Sequence, residues 1–382
     1  MRDPRLDRLA TVLVEHCAPV RPGDLVTIVS DPAAMPAVEA VFEAVLRSGG
    51  HPSFHPKSDR LHELLLKHGS DEQLQHVSPF EAHRLAACDV LMVLRYQSNT
   101  RYLGQIDSKR IARNQSARRE LMAKSMQRAA DGKMRWVLTD LPSDASAQDA
   151  GMSLANYEDW VFRAGWLHLA DPVAAWRKLH DAHGRAIEFL AKKSILRFTA
   201  PAIDGQHDGT DLVVDVAGRT WVSCAAGENF PDGEIFTGPR GVDGVVNFSF
   251  PAVYAGKEVD GIRLAFRDGR VIEASATKNE AHLIELLDQD AGARTVGEIA
   301  IGTNYEIKDS VRNAFYDEKI GGTFHLAVGA GYPETGNTNQ SGLHWDLVTD
   351  LRNGGAIYAD GELILQDGRF THPDWPQPHD AI

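Results

Sequence analysis

Cysteine and long apolar runs are both scarce in this chain of 382 residues. Its three cysteines, Cys17, Cys88 and Cys224, lie far apart, so their spacing offers neither a disulfide framework nor a cysteine zinc site. We expect them to be small buried apolar residues. The N-terminus is charged where a signal peptide would become apolar, and no apolar run reaches membrane-spanning length. These absences predict a cytoplasmic protein that does not bind membranes.

Positive charge is also in short supply, with 40 Lys and Arg against 53 Asp and Glu and a formal net charge of −13. A nucleic-acid partner is therefore not expected, because a phosphate backbone requires a basic surface. No serine or cysteine lies in a recognisable nucleophile motif, so covalent catalysis is not supported. The length exceeds the usual size of a single hydrophobic core, which predicts two domains.

The first half of the chain alternates helical and extended patterns. Apolar residues at helical spacing over residues 6–17 precede a buried-strand run at 25–29, and similar runs follow at 90–94 and 136–139. Strands separated by helices favour a parallel sheet that is covered on both faces. We therefore predict an α/β N-terminal domain over residues 1–194.

From about residue 195 the pattern changes to short alternating strands separated by Gly and Asp turns. Such strands are predicted at residues 212–216, 271–276, 343–351 and 356–364. Closely spaced strands of this kind are typical of antiparallel sheets. Residues 195–382 are therefore predicted to form an α+β domain rich in antiparallel sheet, and this domain carries every candidate metal ligand.

Carboxylates and imidazoles in short strand-like or turn-like segments are the most informative feature of this second domain. His344 and Asp346 are two residues apart, so on an extended strand both side chains point to the same face. With Glu234, Glu298 and His325 they form a set of nitrogen and oxygen donors, which suits zinc, manganese, cobalt or ferrous iron. The set is larger than one tetrahedral ion needs, which favours a centre with two metals.

Each residue also has a structural explanation when taken alone. Glu234 could be a turn carboxylate, Glu298 a charge at a strand edge, and His325 a hydrogen-bonded core histidine. Lys319 is expected to be a solvated charge, and His183 to lie on an exposed amphipathic helix. Only the combined order of the acidic and imidazole residues favours metal binding.

Six phrases of the C-terminal half resemble a known family in their order and rough spacing. They are Asn-Phe-Pro-Asp-Gly-Glu at 229–234, Gly-Glu-Ile-Ala at 297–300, Phe-Tyr-Asp-Glu at 315–318, His-Leu-Ala-Val-Gly at 325–329, Tyr-Pro at 332–333 and His-Trp-Asp at 344–346. Together they look like those of the thermophilic-type metallo-aminopeptidases, the M29 or aminopeptidase T family. The N-terminal half fits this family in length and pattern only.

The resemblance implies a role for each matching position. It makes Glu234, Glu298, His325, His344 and Asp346 the metal ligands, with Glu298 shared between two divalent ions (Zn, Co, Mn or Mg). It places Glu318 and Tyr332 near the metals, where they would transfer a proton and donate a hydrogen bond to an oxyanion. It further implies peptide substrates, hydrolysis of their N-terminal residues, and a homodimer.

The chain departs from the family pattern between Glu318 and His325. This segment looks longer than in typical aminopeptidases, and Lys319 follows the glutamate where an asparagine is usual. Two alternatives also stay open. A mononuclear non-haem Fe(II) ring-cleaving dioxygenase of the 2,5-dihydroxypyridine dioxygenase kind would need only His325, His344 and Asp346. A binding protein that lost catalysis could share the scaffold. Retention of two further glutamates favours the peptidase.

Overall fold

The computed structural model describes residues 2–254 and 256–378, and they form two compact units. The first comprises the described residues of Met1–Val173 together with Ala226–Pro231, and the second those of Ala174–Ala225 and Asp232–Ile382. The predicted domain ranges, 1–194 and 195–382, stay a prediction, because compactness of a unit is not evidence that it folds independently.

Helices dominate the first half and become short in the second. The α-helices of the described residues are α1 (Pro4–Val12), α2 (Met35–Arg47), α3 (Asp59–His68), α4 (Asp71–Gln75), α5 (Pro79–Ala87), α6 (Ser108–Ala130), α7 (Asp144–Asp149), α8 (Leu154–Ala164), α9 (Pro172–Leu190), α10 (Glu280–Leu287) and α11 (Ala314–Asp317). A π-helical turn at Leu13–Cys17 extends α1, and short 3₁₀ helices lie at Pro32–Ala34 and Pro333–Thr335.

Strands follow the opposite distribution and crowd the second half. They are β1 (Leu25–Ser30), β2 (His51–Pro56), β3 (Val90–Arg95), β4 (Arg135–Asp140), β5 (Ile195–Ala200), β6 (Thr210–Asp215), β7 (Val222–Cys224), β8 (Asn229–Phe230), β9 (Glu234–Thr237), β10 (Gly241–Asn247), β11 (Ala252–Tyr254), β12 (Lys257–Val259), β13 (Arg263–Arg267), β14 (Arg270–Ser275), β15 (Val296–Gly302), β16 (Thr323–Gly329), β17 (His344–Asp350), β18 (Ala356–Ala359), β19 (Glu362–Gln366) and β20 (Arg369–Phe370).

The first unit is built on a parallel sheet of order β2-β1-β3-β4-β8. Val26, Ile28, Val90 and Met92 are fully buried on its central strands, as expected where helices cover both faces of a sheet. The predicted parallel sheet is thereby confirmed. Strand β2 was not predicted, because His51–Pro56 lacks the apolar run that marked its neighbours.

The second unit combines an antiparallel sheet of order β14-β13-β10-β6-β5-β18-β19-β20 with another of order β17-β16-β15-β9-β7. The predicted domain rich in antiparallel sheet is confirmed. The single strand predicted over residues 356–364 is wrong, because Asp360 and Gly361 have φ values of 49° and 84°. Two consecutive residues with positive φ make a tight hairpin turn, so β18 and β19 pair with each other instead.

The two antiparallel sheets bury their apolar faces in one core. Leu196 and Leu212 come from the larger sheet, and Ile299 and Leu326 from the smaller one. The rings of Phe198 and Phe324 meet across this core with centroids 4.5 Å apart. With one face of the smaller sheet packed in this way, its polar side chains can be presented only on the other. Within residues 2–254 and 256–378, no helix combines the length and apolarity needed to span a bilayer.

Candidate metal centre

Every predicted ligand lies on a strand of the smaller antiparallel sheet. Glu234 begins β9, Glu298 lies in β15, His325 in β16, and His344 and Asp346 both lie in β17. The pairing register places them on one face, because residues at even spacing along neighbouring strands share a side of the sheet. The structure therefore brings together residues that are more than a hundred positions apart in the chain.

Small residues on this face leave room between the charged side chains. Glu298 lies opposite Ala327, and Ala327 lies opposite Asp346. Glu234 lies opposite Gly302 in the same way. The carboxylates can therefore lie close together, because Ala327 and Gly302 on the strands between them have almost no side-chain volume.

A β-bulge at Gly297 decides which way Glu298 points. Val296 pairs with Val328, but the register shifts before Glu298, which pairs with Ala327. In a regular strand Val296 and Glu298, two positions apart, would share a face; because of the bulge, Val296 packs in the core and Glu298 faces the acidic cluster. A Cβ atom at position 297 would lie 2.1 Å from the carbonyl oxygen of Ala330, so the close approach requires glycine.

The donor atoms form two groups that share Glu298. Within each of the groups Glu234–Glu298–His325 and Glu298–His344–Asp346, the ligand atoms lie within 4.8 Å of one another. His325 Nε2 is 3.4 Å from Glu234 Oε2 and 3.4 Å from Glu298 Oε1. His344 Nε2 is 3.6 Å from Glu298 Oε2 and 3.5 Å from Asp346 Oδ1. The two oxygens of Glu298 thus serve one group each.

Backbone carbonyls fix the orientation of both imidazoles. His325 Nδ1 lies 2.9 Å from the carbonyl oxygen of Glu318, and His344 Nδ1 lies 2.9 Å from that of Ala330. A carbonyl oxygen only accepts, so each Nδ1 carries the proton and donates. Each Nε2 then points toward the carboxylates in the orientation that metal-binding histidines adopt, and a bound ion would replace its proton.

Burial and mutual repulsion make the cluster strongly attractive to cations. Burial raises the pKa of the Glu234 and Glu298 carboxyls above the usual value. It also disfavours charged imidazoles, but the surrounding carboxylates, Glu298 for His325 and Asp346 for His344, outweigh burial and raise the pKa of both histidines to about 10. For Asp346, burial is likewise outweighed, here by His344, and its pKa is lowered.

The side chains of the cluster fit a divalent ion. Glu234 Oε2 is buried and has no hydrogen-bond partner, an arrangement that costs free energy unless another group completes it. The donors are carboxylate oxygens and imidazole nitrogens, which bind zinc, cobalt and manganese well. A cation bound here would balance the negative charge of the buried carboxylates and provide the missing partner of Glu234 Oε2.

Glu318 stays close to the cluster despite the longer segment that follows it. Its backbone carbonyl holds His325, as described above, and its carboxylate contacts the ammonium group of Lys319. The expectation that Lys319 is solvated is wrong. Its side chain is fully buried, and Nζ also lies 3.7 Å from Glu234 Oε1. The carboxylates of Glu318 and Glu234 compensate the charge that burial would otherwise exclude.

Tyr332 lies at the rim of the cluster. It is 39% exposed, and its ring centroid is 5.3 Å from that of His344 and 5.3 Å from that of Phe236. Partial burial and the nearby carboxylates raise the pKa of its hydroxyl. The hydroxyl is therefore protonated and able to donate a hydrogen bond.

Sequence reasoning missed two buried groups beside the cluster. Asp232 joins Cys224 and Glu234 in a further group of potential ligands, and burial raises its pKa to about 8. Its place two residues before Glu234, in the Pro-Asp-Gly phrase, was the available signal.

The expectation that His183 lies on an exposed helix face is wrong, because its side chain is fully buried and lies 2.8 Å from the hydroxyls of Ser223 and Thr303. Helical spacing alone contained no sign of these partners.

Known proteins resemble this chain in sequence and in fold. The profile of the thermophilic metalloprotease family (M29) matches residues 2–370. Aminopeptidase 2 of Geobacillus stearothermophilus is 28% identical over 353 residues, 86% of this chain and 84% of the relative. Aminopeptidase AmpS of Bacillus subtilis is 26% identical over 412 aligned residues, 96% of this chain and 98% of the relative. The structure of wild-type AmpT from Thermus thermophilus superposes with a TM-score of 0.80 at 23% identity, covering 97% of this chain and 99% of that one, which shows a shared fold.

Fold, donor set and family profile together define a metalloprotease, a hydrolase that requires metal ions. The chain belongs to the thermophilic metalloprotease family M29, as its ordered phrases predicted. The prediction of a hydrolase of the metallo-aminopeptidase kind is thereby confirmed.

Proposed function

We propose that this chain is an aminopeptidase that removes N-terminal residues from peptides through a dinuclear metal centre and a water bridging the two divalent ions. The observation that carries the proposal is the position of Glu298, whose two oxygens face the two donor groups separately. One carboxylate between two sets of donors is the arrangement expected of a residue shared by a pair of ions. Zinc, cobalt, manganese and magnesium all remain candidates for them.

A pair of divalent ions held by Glu234, Glu298, His325, His344 and Asp346 would supply a water of lowered pKa and a Lewis acid for the scissile carbonyl. The chain's own residues supply the rest. Glu318, whose partly buried carboxylate lies beside the cluster, accepts a proton from the attacking water and returns it to the leaving amine. Tyr332 donates a hydrogen bond to the oxyanion of the tetrahedral intermediate. The α-ammonium group of the substrate pairs with a carboxylate of the cluster, which restricts hydrolysis to N-terminal residues.

Glu298→Gln tests this proposal, because it changes one oxygen of the shared ligand to an amide with little change in volume. We expect the variant to bind fewer ions per chain and to lose at least about a hundredfold of its activity on free N-terminal peptides. Glu273→Gln, an exposed glutamate on β14 of the same unit, is the matched control. Full metal content and full peptidase activity in Glu298→Gln would end the proposal.

Metal analysis also separates the dioxygenase alternative. An aminopeptidase binds two ions per chain, hydrolyses free peptides and leaves N-acetylated peptides intact. A ring-cleaving dioxygenase binds one iron and consumes oxygen. Chelation is expected to lower the melting temperature of the peptidase, because ions bound only to the native state stabilise it by about 2.7 kcal/mol at a hundredfold excess over Kd. The homodimer and the cytoplasmic location stay predictions.

A further inference from the structure

A buried ammonium group lies at one end of the acidic cluster. Lys319 Nζ contacts the Glu318 carboxylate and is 3.7 Å from Glu234 Oε1. It also lies 5.3 Å from the ring centroid of Phe315, on whose face a cation is stabilised. The lysine side chain is 0% exposed, so water does not screen these contacts.

The backbone at Lys319 is held by hydrogen bonds on both sides of the peptide chain. Its N–H donates to the carbonyl of Tyr316 at 3.1 Å, and its own carbonyl accepts from the N–H of Asn304 at 3.0 Å. Immediately after it, the carbonyl of Ile320 is so close to Gly302 that a Cβ there would be 2.1 Å away. This segment is thus packed tightly, and it fixes the position of the main chain from which the Lys319 side chain extends.

The ammonium group acts unequally on the two donor groups. Glu234, which belongs to the first group, offers Oε1 to Lys319 and Oε2 to the cluster. Among the described residues, the ion pairs of Lys319 are with Glu234 and Glu318, and neither of these belongs to the second group. The positive charge therefore acts mainly on the donor group that contains Glu234.

Lys319 itself is charged in this environment. Its ammonium group pairs with the carboxylates of Glu318 and Glu234 and lies over the ring of Phe315, and these contacts favour the charged form. A divalent ion at the Glu234 end would be repelled by this charge and would share one carboxylate with it. An ion held by Glu298, His344 and Asp346 would be repelled less, because Coulomb repulsion falls with distance.

We propose that Lys319 is a permanent cation of the active site that makes the two metal positions unequal. It weakens the position formed by Glu234, Glu298 and His325, which fills after the position formed by Glu298, His344 and Asp346. It also acts as a positioning residue for Glu318, because it holds that carboxylate beside the cluster. This inference rests on the proposed dinuclear centre and adds an order of loading to it.

Titration of the full-length apoprotein with Co²⁺ tests the inference without an activity assay. Calorimetry gives the affinity of each step, and the visible absorption of Co²⁺ reports the coordination of each ion as it binds. We expect two steps in the wild type that differ at least about tenfold in Kd. In Lys319→Met the weaker step tightens by at least about tenfold, and the gap between the steps narrows.

Two further variants guard against effects of misfolding. Lys319→Arg keeps the charge and is expected to retain the gap, so loss of the gap in this variant would overturn the inference even if Lys319→Met does not fold. Lys193→Met is the matched control, since Lys193 of the same unit is 17% exposed, pairs with Glu362 at 2.9 Å and lies over the ring of Phe189. Its removal is expected to leave both metal affinities unchanged.

The outcomes distinguish this inference from the proposed function. Two steps in the wild type with unchanged affinities in Lys319→Met would overturn the role of Lys319 and leave the dinuclear centre intact. One ion in the wild type and two in Lys319→Met would refute a dinuclear wild-type enzyme and support the repulsion by Lys319. A weaker second step in Lys319→Met would show that the lysine helps to build the site, contrary to the inference.

Discussion

Glu298 and Asp346 lie opposite the same residue, Ala327, on the strands at its two sides. The methyl group of Ala327 is fully buried, and it is all that separates the two carboxylates along this row of the sheet. The close approach of these two carboxylates therefore depends on a small side chain as much as on the acidic residues themselves.

Ala327→Leu should fill this space and prevent metal binding. The added side-chain volume has no room between Glu298 and Asp346, so we expect metal content to fall below one ion per chain and activity to fall at least about a hundredfold. Metal analysis of the purified variant measures the first effect. Ala359→Leu, at a fully buried alanine on β18, should cost about 1–3 kcal/mol of stability by overpacking yet keep its metal. Equal metal loss in both variants would contradict a local effect.

Gly297→Ala should misdirect Glu298. A Cβ at this position would lie 2.1 Å from the backbone oxygen of Ala330, so the bulge must shift and carry the next residue with it. We expect at least a tenfold loss of peptidase activity together with lower stability. Gly184→Ala is the control, since a Cβ on this glycine of helix α9 meets no atom within 4 Å. It should raise the free energy of unfolding by about 0.5–1 kcal/mol and leave activity unchanged.

Tyr332→Phe should lower kcat and leave metal content intact. The substitution removes the hydroxyl proposed to donate to the oxyanion and retains the ring that packs near His344 and Phe236. Loss of one such donor reduces kcat by about 10²–10³-fold. Steady-state kinetics on a free peptide measures this, with Tyr358→Phe on β18 as the control. An unchanged kcat would remove Tyr332 from the mechanism.

His183→Gln should make stability less dependent on pH. Burial lowers the pKa of His183 to about 3 from 6.5, so the unfolded chain binds a proton that the folded chain does not. The wild type therefore loses stability as pH falls below 6.5, by about 2 kcal/mol at pH 5 relative to pH 7.5. The variant lacks this loss but is less stable at pH 7.5, because it disturbs hydrogen bonds to Ser223 and Thr303.

Urea unfolding of both proteins at pH 7.5 and pH 5 checks this prediction. The difference in free energy of unfolding between wild type and variant should shrink at the lower pH. His180→Gln, an exposed histidine on the same helix, provides the comparison and should follow the wild type. A constant difference across the two pH values would show that His183 titrates normally.

Local patterns predicted the strands well where burial was uniform. The apolar runs that became β1, β3 and β4 had no competing interpretation, and the spacing of His344 and Asp346 placed both on one face of β17 because side chains alternate along a strand. Position 297 shows the limit of this logic. Alternation alone would have put Val296 beside Glu298, and only the bulge separates them.

The burial of Lys319 and His183 lay outside any local pattern. In sequence, Lys319 beside Glu318 resembles a solvated surface pair. No neighbouring residue indicates that Glu234 Oε1 lies 3.7 Å from Lys319 Nζ. His183 likewise meets its partners, Ser223 and Thr303, from far along the chain. Both side chains are buried because residues far along the chain provide hydrogen bonds and ion pairs to their polar atoms. A short stretch of sequence does not show such partners.

The sequence by itself determined the donor types, their order along the chain and hence the family. Tertiary structure alone decided that Glu234, Glu298, His325, His344 and Asp346 meet. Hydrogen bonding between strands that are distant in the chain sets the register, and a shift of one residue in any strand would turn its ligand to the opposite face. The candidate metal centre is therefore a property of strand pairing as much as of the residues that compose it.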